Sequence, residues 1–288
     1  MNKHSVAIIG SGPAAITAAI YSARAGIKTT VYERGDIGGS LSKIACIENF
    51  PGFMGTGSDL VSSLRHQAEA AGVKFQYGEC HNIRRAADSF SLLIDDEEIS
   101  SSAVLIATGS EPRKIDLPTK KSISYCALCD APLYKDKTVL VIGGGNSAVG
   151  EAVHLASVAK QVILVNRSPL RAENSLKSKL KSCKNVEIHE NIADFAPFLE
   201  KVDGIFVLIG TQPASGLMKE IAPQFGLAES DVLDDCGYII TGEGNMTKIP
   251  GIFAAGDVRS GSTKQAITAA ADGAEAAIGI NNFLQHKA

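Results

Sequence analysis

The sequence is poor in the features that mark membrane, collagenous and disordered chains. It has no Trp, only 10 Pro among 288 residues, and 6% aromatic residues. No apolar stretch approaches the roughly 20 residues that a bilayer span requires. The apolar run at residues 6–9 stops at Gly10, which argues against a signal peptide. We therefore expect a folded cytoplasmic protein that does not engage a membrane.

An excess of one charge is also missing. The chain carries 28 basic and 31 acidic residues, for a net charge of −3, which leaves no electrostatic footprint for nucleic acid or anionic lipid. Hydrophobic residues make up 45% of the chain, enough for sizeable cores, and the length corresponds to about two domains. These values favour chemistry on small molecules or on protein partners.

The six cysteines lie in a chain without a secretory signal, so a disulfide framework is not expected. Cys80, Cys183 and Cys236 are interpreted as structural, and Cys46 as a packing residue. Cys126 and Cys129 form a Cys-x-x-Cys pair, which can close a small redox-active disulfide. The alternatives are half of a zinc site and two inert buried thiols. No second Cys-x-x-Cys or paired histidines supply the further ligands that zinc needs, so no metal is expected.

The chain contains its own duplication. An apolar run at residues 5–9 leads into Gly10 and Gly12 and then into an alanine-rich helical stretch. Residues 137–142 repeat this pattern and lead into Gly143 and Gly145. A second β-rich run follows each helix, and the offset from Gly10 to Glu33 equals that from Gly143 to Asn166. Equal spacing predicts an α/β fold with two Rossmann-like, three-layer dinucleotide-binding domains.

The residue after each second strand predicts what the module binds. Glycines let the backbone approach a pyrophosphate, whose charge then lies at the N-terminus of the next helix. Glu33 is placed to accept hydrogen bonds from a ribose 2′-hydroxyl, as in FAD or NAD. Asn166 is followed by Arg167 and Arg171, which can bind a 2′-phosphate, or else lie on a solvated loop with no special role.

These motifs and others, in their order along the chain, resemble the low-molecular-weight, bacterial-type thioredoxin reductases, which are FAD-dependent pyridine nucleotide-disulfide oxidoreductases. The resemblance covers essentially the whole chain. The matching segments are residues 10–14, 38–39, 47–52, 107–109, 126–130, 143–148, 256–257 and 264–267. A Cys-x-x-Cys pair inside the second module is specific to this family.

The resemblance implies a discontinuous FAD-binding domain, residues 1–112 and 242–288, interrupted by an NAD(P)-binding-like domain with the disulfide, residues 113–241. It implies that Cys129 exchanges electrons with the flavin, that Cys126 attacks the protein substrate, and that Asp130 is the general acid. Including the motif residues above, the candidate FAD contacts are Gly10, Gly12, Pro13, Ala14, Glu33, Gly39, Ser40, Asn49, Ala107, Gly109, Gly256, Asp257, Lys264, Gln265 and Ala266. The candidate nicotinamide nucleotide contacts are Gly143, Gly145, Asn146, Ser147, Arg167 and Arg171.

The predicted function is an FAD-dependent disulfide reductase, active as a homodimer. Electrons pass from NAD(P)H through FAD and the Cys126–Cys129 disulfide to thioredoxin or a thioredoxin-like protein. NADPH is expected to be a better donor than NADH, because no carboxylate at the Asn166 position repels a 2′-phosphate.

Departures from the family keep other interpretations open. The family typically has a His-Arg-Arg run and a further Arg where this chain has Val165, Asn166 and Arg167, then Arg171. The second module is also shorter than the first. The alternatives are a reductase that receives electrons from another donor, such as reduced ferredoxin, a flavin-dependent dithiol oxidase that uses O₂, and a non-enzymatic FAD-binding scaffold. The intact Cys-x-x-Cys-Asp sequence argues against the scaffold.

Overall fold

The structure is a computed structural model that describes residues 4–44 and 46–286, without the side chains of Leu128 and Cys129. The strands are β1 Ser5–Ile9, β2 Lys28–Glu33, β3 Ile47–Phe50, β4 Phe53–Gly55, β5 Lys74–Tyr77, β6 Cys80–Ala86, β7 Ser89–Ile94, β8 Glu97–Ser101, β9 Ala103–Ile106, β10 Ser110–Pro112, β11 Ile123–Ser124, β12 Thr138–Ile142, β13 Gln161–Val165, β14 Val186–His189, β15 Gly204–Val207, β16 Thr211–Pro213 and β17 Ile252–Ala254. The helices are α1 Pro13–Arg24, α2 Gly57–Ala70, α3 Ala127–Asp130, α4 Asn146–Ala156, α5 Asn174–Ser182, α6 Ala196–Leu199, α7 Gly216–Ile221, α8 Glu229–Val232 and α9 Ala266–Gln285. In this described part, no helix has both the length and the apolar character needed to cross a bilayer.

The chain divides into two compact units. Unit 1 comprises residues 1–110 and 213–288, and unit 2 comprises residues 111–212. The chain passes between them through β10 and β16, which pair as a two-stranded ribbon. Each unit contains a five-stranded sheet whose strand pairs are parallel, so the predicted α/β class is confirmed.

Unit 1 has three layers. Its parallel sheet has the order β17-β9-β1-β2-β5, and an antiparallel sheet, β6-β7-β8, forms a second layer. Alternate residues of β1 enter different cores. Val6 and Ile8 pack with apolar residues of α1 and α9, whereas Ala7 and Ile9 pack with residues of the antiparallel sheet. Burial on both faces explains why β1 is an uninterrupted apolar run.

Unit 2 repeats this arrangement with fewer residues. Its sheet has the order β11-β15-β12-β13-β14. Val139 and Val141 of β12 face a core shared with α4 and α5, and Leu140 and Ile142 face a core that includes Leu199 of α6. In the described part of the chain, α6 is the only regular element between β14 and β15.

The domain boundary expected near residue 241 differs from the observed one. Residues 213–241 belong to unit 1, not to unit 2. Met218, Ile221 and Val232 from this segment are fully buried in the same core as Ile83 and Leu92 of the antiparallel sheet. The segment is needed to cover that sheet, because the sheet has an apolar face that water would otherwise contact. Residues 234–244, which span that expected boundary, are therefore part of unit 1.

The duplication is visible in single hydrogen bonds. The N–H of Gly10 donates to the carbonyl of Tyr32 at 2.8 Å, and the N–H of Gly143 donates to the carbonyl of Val165 at 3.0 Å. These pairs occupy the same register in β1-β2 and β12-β13, where Ile9 is paired with Tyr32 and Ile142 with Val165. Both turns therefore leave their sheets at the same point, next to the neighbouring strand.

Candidate active site

In the first glycine turn, Gly10 is tightly packed, whereas the space around Gly12 is open. Gly10 has a φ of +100°, and a Cβ there would lie 2.4 Å from the carbonyl oxygen of Ala107, so only glycine fits. Around Gly12 a Cβ would meet nothing within 4 Å. Pro13 opens α1, where its missing N–H costs no hydrogen bond, and Ala14 is buried. The open face at Gly12 lies at the N-terminus of α1, where a phosphate can approach the backbone.

Glu33, the candidate ribose contact, is held in place by its neighbours. Its Oε2 accepts a hydrogen bond from Ser11 Oγ at 2.6 Å, and its Oε1 accepts one from the N–H of Gly35 at 2.8 Å. The Ser11 hydroxyl also accepts the N–H of Gly38 at 3.0 Å. This buried serine, which the sequence did not single out, therefore connects β2 to the 38–39 glycine pair.

The segment after Gly38 closes over the first turn. A Cβ on Gly39 would contact the Cα of Gly12 at 3.8 Å, so the two candidate glycines are neighbours. Ser40 follows in a short 3-10 turn and is exposed. On the other side of the turn, Gly109 has a φ of +70°, a conformation that favours glycine.

The N-terminus of α9 is joined to the β3-β4 ribbon. Asn49 Nδ2 donates to Gln265 Oε1 at 3.1 Å, although 216 positions separate the two residues in the chain. Gln265 precedes Ala266, the first residue of α9. Lys264 has a φ of +58°, and its ammonium group contacts the ring and the hydroxyl of Tyr238. The structure therefore brings Asn49 and Gln265 together, and it directs Lys264 to Tyr238.

Asp257 lies on a partly buried loop that an ion pair fixes. The pKa of Asp257 is raised, because burial raises it by more than a hydrogen bond from Ser262 and the charge of Lys264 lower it. Asp272 of α9 accepts two hydrogen bonds from Arg259, at 2.7 and 3.0 Å, and one from the N–H of Gly256 at 3.2 Å. Sequence reasoning did not identify the Arg259–Asp272 pair, because it has no motif.

These unit 1 residues fit the adenosine, pyrophosphate and ribityl parts of FAD. Gly12 and Gly39 leave backbone open beside the start of a 12-residue helix, which suits a pyrophosphate. Glu33 is a carboxylate at the end of β2, which suits a free ribose hydroxyl. The exposed amides of Asn49 and Gln265 and the buried side of Asp257 add polar groups that can orient a ligand. The residues present therefore fit FAD.

The second glycine turn, in unit 2, repeats the geometry of the first. A Cβ on Gly143 would lie 2.2 Å from the carbonyl oxygen of Leu208, whereas around Gly145 there is open space to 4 Å. Asn146, the first residue of α4, exchanges two hydrogen bonds with Glu173. Its Nδ2 donates to Glu173 Oε1 at 2.9 Å, and its Oδ1 accepts the N–H of Glu173 at 2.8 Å. Gly145 thus leaves the backbone open at the N-terminus of α4, where a phosphate can approach.

Asn166 is turned into the protein. It is 7% exposed, and its Nδ2 donates to the carbonyl oxygens of Ser168 and, at 3.4 Å, Pro169. Its side chain also packs on Gly144, where a Cβ would lie 2.1 Å from Asn166 Nδ2. Asn166 therefore shapes the loop after β13, and its side-chain amide is bonded within the protein. Arg167 and Arg171 of this loop are exposed.

Cys126 lies directly before α3 and takes part in a disulfide. The side chain of Cys129, its expected partner, lies outside the described residues. Cys46, Cys80, Cys183 and Cys236 are free cysteines. Cys80 is buried, whereas Cys46 and Cys236 are exposed, so the packing and structural roles expected for these two from the sequence are not seen. Burial raises the pKa of the Cys80 thiol to about 12, which makes it unreactive at neutral pH. Asp130, the candidate acid, ends α3 and is partly buried.

The side chains that the structure describes include no cluster of three or more His, Cys, Asp or Glu residues able to hold a metal ion. One carboxylate beside Cys126 was missed by sequence reasoning. Glu151 Oε2 accepts the N–H of Ala127 at 2.6 Å. No sequence signal points to this contact, because 24 positions separate the two residues.

Comparison with known proteins gives a consistent result. Residues 4–193 match the family described as pyridine nucleotide-disulphide oxidoreductase. The chain is 34% identical to thioredoxin reductase from Bacillus subtilis, over 98% of this chain and 95% of that one. Among solved structures it resembles thioredoxin reductase from Lactococcus lactis, with a TM-score of 0.87, 33% identity and 99% and 100% of the two chains covered. Thioredoxin reductase from T. acidophilum gives a TM-score of 0.85 at 28% identity, with 97% and 98% covered. The chain therefore belongs to the pyridine nucleotide-disulphide oxidoreductase family, with the thioredoxin reductases as its relatives, and is an oxidoreductase.

Proposed function

We propose that the protein is an FAD-dependent disulfide reductase that takes electrons from NADPH and reduces thioredoxin or a thioredoxin-like protein. The observation that carries the proposal is the repeated glycine turn, open at Gly12 in unit 1 and at Gly145 in unit 2, with the disulfide-bonded Cys126 in unit 2. Two dinucleotide sites and one disulfide are the parts that such a reaction needs.

The residues of unit 1 bind and orient the flavin. FAD, when bound, passes two electrons from a nicotinamide to a disulfide. Glu33 would accept hydrogen bonds from the ribose, and the backbone at Gly12 and Gly39 would receive the pyrophosphate. Asp257 and the amides of Asn49 and Gln265 fix the rest of the cofactor by hydrogen bonds.

The residues of unit 2 carry the thiol chemistry. In the reduced enzyme, the Cys126 thiolate attacks one sulfur of the thioredoxin disulfide, and the S–S bond electrons leave with the other sulfur. Asp130 donates a proton to that departing thiolate. The Cys129 thiolate then attacks Cys126 of the mixed disulfide. This step restores the enzyme disulfide and releases the second thioredoxin sulfur, which takes up a proton.

The roles of the two cysteines predict different variants. If Cys129 is the thiol that exchanges electrons with the flavin, Cys126→Ser should leave it free as a thiolate and give a long-wavelength absorption band with oxidised FAD, whereas Cys129→Ser should give none. Both variants should lose disulfide reduction. A band in Cys129→Ser and none in Cys126→Ser would reverse the assignment.

Arg167 and Arg171 are the residues that select NADPH. Both are exposed on the loop after β13, and a charge-assisted contact to a 2′-phosphate contributes about 1–3 kcal/mol. The double variant Arg167→Ala, Arg171→Ala should raise the Michaelis constant for NADPH about tenfold or more and leave that for NADH nearly unchanged. Equal loss with both nucleotides would contradict this selectivity.

The donor is tested by anaerobic titration of the purified protein with NADPH, NADH and reduced ferredoxin, with the flavin absorbance as the signal. The proposal predicts that stoichiometric NADPH bleaches the flavin. Bleaching by ferredoxin alone would replace the nucleotide as donor, and the disulfide chemistry would be unchanged. Peroxide formation from a dithiol and O₂, without any nucleotide requirement, would indicate the oxidase instead.

We also place this reaction in the cytoplasm. The exposed free thiols of Cys46 and Cys236 suit a reducing compartment. The homodimer implied by the family resemblance stays a prediction, and sedimentation of the holoprotein tests it.

A further inference from the structure

The helical turn that begins directly after Cys126 is too short to be stable by itself. The helix α3 spans Ala127–Asp130, and the N–H of Asp130 donates to the carbonyl of Cys126 at 3.3 Å. A single helical turn is unstable alone, because fixing its dihedral angles costs more free energy than one hydrogen bond returns. Contacts from outside the turn must therefore fix Cys126.

Two side chains make such contacts with the backbone around Cys126. Ser124 Oγ accepts the N–H of Cys126 at 3.1 Å and lies 3.2 Å from the Cys126 carbonyl oxygen, to which it can donate. Glu151, from α4, accepts the N–H of Ala127 through Oε2 at 2.6 Å. Ser147 donates to Glu151 Oε1 at 3.1 Å and so fixes the carboxylate from its own helix. The first N–H of α3 is thereby connected to α4.

The surroundings of Glu151 make this a specific arrangement. Ala127 is fully buried, so its N–H would have no water partner without Glu151. The pKa of Glu151 is raised, because burial raises it by more than the hydrogen bonds from Ala127 and Ser147 lower it. Partial burial of the Glu151 carboxylate costs solvation free energy, and its two hydrogen bonds offset that cost.

We propose that Glu151 is a positioning residue for the redox disulfide, which holds the Cys126 turn in place when the S–S bond is open. This inference rests on the proposed function, since it concerns the dithiol that reduces the substrate. In the oxidised enzyme, the disulfide itself constrains the turn. In the dithiol, the packing of Ala127 and the hydrogen bonds of the turn do so. Glu151 then keeps the two sulfurs within reach of each other.

The Glu151 contact affects the redox equilibrium of the cysteine pair. Reduction by dithiothreitol breaks the enzyme S–S bond, moves two electrons and two protons to its sulfurs, and leaves cyclic oxidised dithiothreitol. The reverse step depends on the effective concentration of one enzyme thiol at the other. Loss of the Glu151 contact lowers that concentration, so the dithiol becomes easier to form and a weaker reductant.

The test is a redox titration of the holoprotein in dithiothreitol buffers, quenched with iodoacetamide. The tryptic peptide of residues 122–135 contains Cys126 and Cys129 and no other cysteine, so its mass reports this pair alone, independently of the flavin. Glu151→Ala should shift the equilibrium constant about tenfold toward the dithiol, or about 30 mV to a less negative potential. Glu151→Asp, which keeps the charge but is one methylene too short, should shift it in the same direction and guards against misfolding of the alanine variant.

Two further variants separate the hydrogen bond from other effects. Glu151→Gln keeps an oxygen acceptor for the Ala127 N–H, so its equilibrium constant should stay within about twofold of wild type. Glu200→Ala removes an exposed carboxylate from the same unit and should have no effect. The proposal is overturned if Glu151→Ala and Glu151→Asp both match wild type, or if Glu151→Gln shifts as far as Glu151→Ala. A wild-type peptide with no reversible titration would contradict the proposed function instead.

Discussion

The two glycines within each turn have different tasks, and substitution separates these tasks. Gly10→Ala places a Cβ 2.4 Å from a backbone oxygen at a φ of +100° and should destabilise the apoprotein by about 3 kcal/mol. Gly12→Ala meets open space at a φ of −70° and should change stability by less than about 1 kcal/mol. It should nevertheless weaken FAD binding about tenfold or more, because the methyl group occupies the approach to the backbone.

Urea unfolding of the apoprotein and quenching of flavin fluorescence measure these two effects. Gly145→Ala is the matched control, since it changes the corresponding open position in unit 2 and should leave FAD binding intact. An apoprotein destabilised equally by Gly10→Ala and Gly12→Ala would show that both glycines serve packing alone.

The raised pKa of Asp257 predicts a pH-dependent effect on stability. A carboxyl that is harder to ionise in the folded state than in the unfolded chain reduces stability as pH rises through its ordinary pKa, about 3.9, toward the raised folded value. Asp257→Asn removes that loss. The variant apoprotein should melt at a higher temperature than wild type at pH 7, and the difference should shrink toward pH 4.

The same variant should bind FAD more weakly, because an acceptor for the cofactor is lost. Differential scanning calorimetry against pH and an FAD titration test both parts. Lower stability of Asp257→Asn at pH 7 would mean that the ionised carboxylate stabilises the apoprotein.

At the scale of elements, α1 and α9 pack against each other, and the proposed flavin site includes the N-terminus of each helix. A Cβ on Gly273 of α9 would lie 2.1 Å from the carbonyl oxygen of Ala14, which is backbone of the first turn of α1. Alanine gains about 1 kcal/mol of helix propensity over glycine, but overpacking costs about 1–3 kcal/mol and backbone atoms cannot move aside as a side chain can. In Gly273→Ala, the cost of overpacking should therefore exceed the gain in helix propensity.

Gly273→Ala is expected to destabilise the protein by about 2 kcal/mol and to weaken FAD binding, because α1 must shift. Ala271→Ser, at an exposed position of the same helix, is the control and should change neither property. Thermal unfolding and flavin retention on a desalting column are the measurements. A stabilised Gly273→Ala variant would show that propensity outweighs the close contact.

Sequence patterns predicted the elements that are long or repeated. Each of the two strand, turn and helix segments was predicted because β1 and β12 are buried on both faces and the glycines follow directly. The segment 213–241 was assigned to the wrong unit, because its helices have only four and six residues and no periodicity indicates which sheet they cover. Asn166 shows a different difficulty, since a polar residue after a strand suggests a ligand contact whether its side chain turns outward or inward.

At the scale of the whole molecule, the division into units predicts which fragments fold. Residues 111–212 form unit 2 with its own sheet and two cores. This fragment should unfold cooperatively and give a dispersed NMR spectrum. The fragment 113–241 adds Met218, Ile221 and Val232, which are buried only against unit 1, and it should bind an apolar dye. Failure of 111–212 to fold, with a well-folded 113–241, would restore the boundary expected from sequence.

The central claim is that one chain connects a nicotinamide nucleotide to a protein disulfide through FAD and Cys126. The measurement is an anaerobic count of thioredoxin thiols formed per NADPH consumed, with wild type, Cys126→Ser and Cys129→Ser. The account predicts yellow wild-type protein that forms two thiols for each NADPH, and no thiols from either variant. Colourless protein that FAD cannot reconstitute, or thiols formed equally well by the two variants, would contradict it.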